Sequence, residues 1–76
     1  MNDKRRKRLE EIKGQIAALV DEVQAVCDEE EEAYDSMPEG LQNAPNGEKM
    51  QEAITAMETV IESLEEAQDA LDEATA

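Results

Sequence analysis

A chain of 76 residues makes at most one small domain, and domains of that size bury a modest fraction of their surface and usually need a staple, a metal or a partner chain. The usual staples are missing: with no His and a single Cys, neither an intrachain disulfide nor a Cys/His zinc site can form, and a lone thiol fits a reducing compartment. The formal charge of −14 is unevenly spread, because six of the seven Lys and Arg lie in residues 1–13 and eighteen of the twenty-one acids lie beyond them, which makes a basic tip on an acidic rod.

Taken in chain order, Asn2 or Asp3 is placed to cap a helix that opens on Lys4, Arg5, Arg6, Lys7 and Arg8, where the cations oppose the helix dipole. Leu9, Ile12, Ile16, Leu19, Val23 and Val26 then recur at alternating spacings of three and four, the signature of a heptad seam rather than of a strand. Glu30 continues that seam, and Val20, Cys27 and Tyr34 form a further apolar column beside it. The spacing predicts a helix over about residues 3–35. Gly14 falls on its outer face, at a cost of about 1 kcal/mol relative to Ala.

The joint spans residues 36–47. Pro38, Gly40, Pro45 and Gly47 exclude one continuous helix, because proline lacks the backbone donor and its ring clashes with the preceding turn. Ser36 with Glu39 matches a capping box, which predicts a short helical turn over Met37 to Gln42, and Asn46 is placed to cap the helix that follows. Tyr34, Met37 and Leu41 are expected to fold over the end and order the joint.

The second helix is predicted over about residues 47–75. Met50, Ile54, Met57, Ile61, Leu64, Gln68 and Leu71 form its seam, interrupted only by Gln68, with Ala53, Val60, Ala67 and Ala74 as a third column. Rods of roughly 45 and 40 Å match well enough to pack side by side. The expected fold is therefore an all-α antiparallel two-helix hairpin, coiled-coil-like, with the basic tip beside Glu65, Glu66, Asp69, Asp72 and Glu73. Two helices bury only a narrow seam, so stripes three columns wide call for another molecule. A homodimer closing into a four-helix bundle is the economical answer, with Leu19, Val20, Val23, Val26, Cys27, Ile54, Met57, Val60, Ile61 and Leu64 in its core. A hetero-complex would bury the same surface, and the sequence does not separate the two.

Chemistry finds little support. The run Asp28 to Glu32 lacks the alternating oxygens and central Gly of a calcium loop, and consecutive helical residues fan out around the axis, so no metal or other cofactor is expected. Cys27 has no His to activate it, and its acidic neighbours disfavour the thiolate. Carboxylates are plentiful, but acid–base catalysis needs them desolvated in a pocket that a slender bundle does not offer, and the chain is read as non-enzymatic. The basic tip stands against an acidic remainder with no aromatic platform for bases, which argues against direct nucleic-acid binding. No apolar run of about 18 residues is present, and the basic start leads into an amphipathic pattern rather than a signal-peptide core, so no membrane span is expected and a cytoplasmic setting is. A rod lined with carboxylates carries the charge pattern of a nucleic-acid backbone, and it fits the basic surface of a protein partner. The residues expected to meet that partner are Glu29, Glu31, Glu32 and Asp35, with Tyr34 and Met37 as apolar anchors.

The segment EEEEAYDSMPEGLQNAPNGEKMQEAI, followed by METVIESLEEAQDAL, resembles short acidic helical-hairpin proteins of phages, prophages and bacterial mobile elements. The most specific part of the resemblance is the YDxMPExLQ joint, Tyr34 to Gln42. It implies a bacterial host cell as the setting. It also implies a small acidic inhibitor of host defence or nucleic-acid-handling proteins, and it assigns no site.

Overall fold

The computed structural model describes all 76 residues and contains helices only: α1 (Asp3–Asp35), α2 (Glu39–Gln42) and α3 (Pro45–Thr75). The start of α1 is capped by Asn2, whose Oδ1 accepts the Arg5 backbone N–H at 2.9 Å, while Asp3 in the first turn offsets part of the unfavourable charge behind it. From there to Ser36 the sequence holds no proline and one glycine among strong helix formers, so nothing stops the helix for 33 residues. It ends where Ser36 donates its N–H to the Glu32 carbonyl at 3.0 Å, just before Pro38 takes an extended backbone that a helix cannot continue through.

The joint differs from its expected chemistry in two places. Ser36 closes α1 as its C-cap, so the capping box with Glu39 does not form, and α2 is instead a single turn in which Leu41 and Gln42 donate to the Pro38 carbonyl at 2.8 and 3.1 Å. Asn46 does not cap α3, because that helix begins earlier: Ala44 is the N-cap and Pro45 occupies the first turn, where its fixed φ suits the helix and its missing N–H costs nothing.

The two long helices run antiparallel as a rod of 58 × 14 × 13 Å. At the open end, Arg6 Nε donates to the Thr75 carbonyl at 3.1 Å and Lys13 pairs with Asp72. At the closed end, Gln42 Nε2 donates to the Tyr34 carbonyl at 2.9 Å and ties α2 onto the last turns of α1.

Which residues of α1 face α3 is a finding the apolar spacing missed. The half-buried and buried positions are Arg6, Leu9, Lys13, Ile16, Val20, Val23, Cys27, Glu30 and Tyr34, an alternation of three and four, with Ala17 half-buried beside them. The seam is thus rotated by one row from the expected one. Leu9, Ile16, Val23 and Glu30 stay in it, the column of Val20, Cys27 and Tyr34 joins it, and Ile12, Leu19 and Val26 are turned out. On α3 the expected seam holds, from Met50 through Ile54, Met57, Ile61 and Leu64 to Gln68 and Leu71. A pair of helices encloses a line rather than a volume: Cys27, Gly47, Ile54 and Ile61 alone are buried, and of their side chains only that of Cys27 is fully so.

Candidate functional site

Gly47 fixes the closed end. A Cβ at this position would lie 2.1 Å from the Gln42 carbonyl oxygen and 2.7 Å from that of Leu41, so only a glycine lets the first turn of α3 approach the end of α2. Tyr34 and Met37 are half-buried at this end, whereas Leu41, expected to help close it, is 54% exposed. The joint is held by backbone hydrogen bonds and close approach more than by an apolar cap.

Around that ordered end the acids crowd. Between Asp28 and Glu52 nine carboxylates stand against one cation, Lys49, and none of them is in an ion pair, because the chain forms only Arg6–Asp3 and Lys13–Asp72. Glu29, Glu31, Glu32 and Asp35 are all exposed. Tyr34 sits on the inward row of the same turns, so the six residues expected to meet a partner divide into an acidic exterior and two half-buried groups at the joint. No group of three or more Asp, Glu or Cys side chains is arranged to hold a metal ion. Glu30 lies on the seam beside them, half-buried.

Cys27 is the most enclosed side chain in the molecule, at 1% exposure. Its Sγ lies 4.0 Å from Glu31 Oε1. Burial pushes the thiol above its ordinary range, and the charges of Glu31, Glu58 and Asp28 push the same way, so the site disfavours the nucleophilic thiolate.

At the open end, antiparallel pairing does bring the tip to the last turns of α3, but of the five acids expected beside it only Asp72 takes a cation. Arg6 turns to its own neighbour Asp3 and to the Thr75 carbonyl. Lys4, Arg5, Lys7 and Arg8 have no carboxylate within ion-pair distance, so the hairpin itself leaves most of the basic tip unneutralised.

The two edges of the rod are unlike. One carries Glu10, Ala17, Gln24 and Glu31 of α1 with Gln51, Glu58, Glu65 and Asp72 of α3, and is polar but for Ala17. The other carries Ile12, Leu19 and Val26 with Ala53, Val60, Ala67 and Ala74; Ile12 is 43% exposed, Leu19 47%, Val26 53% and Val60 45%. Of the ten residues expected in a dimer core, Val20, Val23, Cys27, Ile54, Met57, Ile61 and Leu64 therefore lie in the seam of one hairpin, and Leu19, Val26 and Val60 lie open on this edge.

Two shallow grooves mark the apolar edge. One, of about 370 Å³, lies between the helices among Glu22, Val23, Val26, Met57 and Val60. The other, of about 270 Å³, lies near the tip among Met1, Arg5, Arg8, Leu9 and Ile12. Ile12 was assigned to the seam by its spacing; its place on an open edge was signalled only by the competing column through Val20 and Cys27.

No helix is long and apolar enough to cross a membrane. Compared with protein-family models, with curated proteins and with solved structures, the chain matches none of them.

Proposed function

We propose that the chain is a non-enzymatic protein-interaction module whose acidic closed end docks on a basic surface of a protein partner. One observation carries this reading: nine carboxylates within the closed half, unpaired, on a rigid end held by the Gly47 contact and the Gln42–Tyr34 hydrogen bond. Such an array attracts a basic groove over several ångströms and raises its association rate. The resemblance of the Tyr34 to Gln42 joint to phage and mobile-element hairpins supports a partner among host defence or nucleic-acid-handling proteins, with the chain acting as an inhibitor that imitates a nucleic-acid backbone.

The test is capture of proteins from bacterial lysate at low and high salt, with the native chain and with a Glu31→Lys, Glu32→Lys, Asp35→Lys variant, all three residues lying off the seam. The reading expects a basic partner, lost at high salt and lost with the variant although helicity is unchanged. Full capture by the variant would overturn it.

The exposed edge of Ile12, Leu19, Val26 and Val60 favours a second property, homo-oligomerisation into a four-helix bundle. Sedimentation at micromolar concentration should then report about twice the chain mass. If lysate capture fails and the doubled mass persists, the chain is an assembly piece whose function is its own association.

A further inference from the structure

The homo-oligomer reading leaves open how two hairpins meet, and the residues flanking the apolar edge decide it. Two hairpins joined by that edge can stack with both closed ends together, or head to tail. The first arrangement sets two acidic ends side by side, each with nine carboxylates to one cation; the second sets each against the open end of its neighbour, where residues 1–13 and 65–76 hold six cations to eight acids. Charge selects the second.

The row beside the apolar edge of α1 reads Arg8, Gln15, Glu22 and Glu29, and the edge row itself reads Arg5, Ile12, Leu19, Val26 and Ala33. Reversed about Leu19, these rows are complementary to themselves: Ile12 meets Val26, Arg8 meets Glu29 and Gln15 meets Glu22. The grooves obey the same operation. The tip groove, lined by Arg5, Arg8 and Ile12, falls opposite Glu29 and Val26, and the groove among Val23, Val26, Met57 and Val60 falls opposite Ile12. An interface that is its own complement is what a two-fold axis requires.

Resting on the homo-oligomer reading, we propose that two copies pair through α1 as an antiparallel, two-fold dimer. Leu19 lies at the axis, Ile12 of each chain sits in the Val26–Val60 groove of the other, and the unpaired cations Arg5 and Arg8 face the Glu29 turn. The acidic end of each chain then points outward at opposite poles of the assembly.

A charge swap tests the register. Arg8→Glu and Glu29→Arg, each alone, should raise the dimer dissociation constant about tenfold, since symmetry places two repulsive contacts in each dimer, and an equimolar mixture of the two should restore it to within about twofold. In a Cys27→Ala background, Leu19→Cys should oxidise to a covalent dimer, Ile12→Cys alone should not, and Ile12→Cys mixed with Val26→Cys should cross-link. Circular dichroism identifies any variant that fails to fold, and the charge swap, which keeps Cys27, stands without the cross-links. A monomer mass for the native chain at micromolar concentration would overturn both the dimer and the homo-oligomer reading. A doubled mass without rescue by the mixture, and with Leu19→Cys linking to Ala67→Cys instead of to itself, would overturn the register alone, because α1 would then lie beside the α3 of the second copy.

Discussion

The closed and open halves of the hairpin share one heptad geometry but differ in what fills it. Toward the joint the seam is Val23, Cys27, Glu30, Tyr34, Met50, Ile54, Met57 and Ile61, and it holds every buried side chain. Toward the tip, Arg6, Lys13, Gln68 and Thr75 interleave with Leu9, Ile16, Leu64 and Leu71, and none of the eight is more than half-buried. The long side chains of Arg6 and Lys13 run their apolar stems along the seam and carry their charges out to the Thr75 carbonyl and Asp72. Full burial and close backbone approach therefore stabilise one half, while the other combines half-buried Leu9, Ile16, Leu64 and Leu71 with polar contacts worth at most about 1 kcal/mol each. The hairpin is built from its joint outward.

The largest expected effects test the closed half. Ile54→Ala and Ile61→Ala should each cost about 2–4 kcal/mol in urea unfolding, enough to unfold much of so small a domain. Similar losses on substituting Leu9 or Leu71 would erase the contrast between the halves. Gly47→Ala should cost about 2 kcal/mol or more, because the new Cβ meets backbone that cannot swing aside. Gly40→Ala, in open space, is the control and should change little.

The thiol of Cys27 gives a pH test of the same region. Its titration is raised in the folded chain, so the two states bind protons equally below the ordinary thiol range, and above about pH 8.5 the unfolded chain loses its proton first. Stability held below that pH should fall as pH rises toward the folded-state titration. Measured as the urea midpoint against pH, the slope should be steeper for the native chain than for Cys27→Ala. Iodoacetamide should label Cys27 slowly in the native state and readily in urea.

Smaller effects belong to the open half. Gly14→Ala faces no atom within 4 Å and should stabilise by about 0.5–1 kcal/mol through helix propensity alone, read as a rise in thermal midpoint. Lys13→Ala should cost no more than a few tenths of a kcal/mol and lose that effect in high salt. A loss of several kcal/mol there would show that the tip pair, not the joint, holds the hairpin shut.

How much of this was legible follows from the two helices themselves. On α3 the seam carries Ile, Leu and Met while its third column is mostly Ala, so size alone separates inside from outside, and the spacing gave the right face. On α1 three columns are apolar, and two pairs of them make equally regular seams. The one chosen by strict apolarity runs through Ile12, Leu19 and Val26, because its rival begins with Arg6 and Lys13. A sequence does not show that a long cation will lie in a seam when a carbonyl and a carboxylate wait at its rim. The joint was legible as an interruption through its prolines, but the approach of Gly47 to the Gln42 carbonyl depends on three-dimensional closure. The crowding of carboxylates was legible outright, since it is a matter of counting.

Tyr34 is the only aromatic residue in the chain, and it sits half-buried where α1 meets the joint. Its ultraviolet emission is therefore a local reporter of the closed end, whereas far-ultraviolet ellipticity averages over both rods. In a hairpin that opens from its tip, ellipticity should begin to fall on heating before the tyrosine signal changes, and the temperature gap between the two curves measures how far the strands of the rod part before the hinge itself gives way.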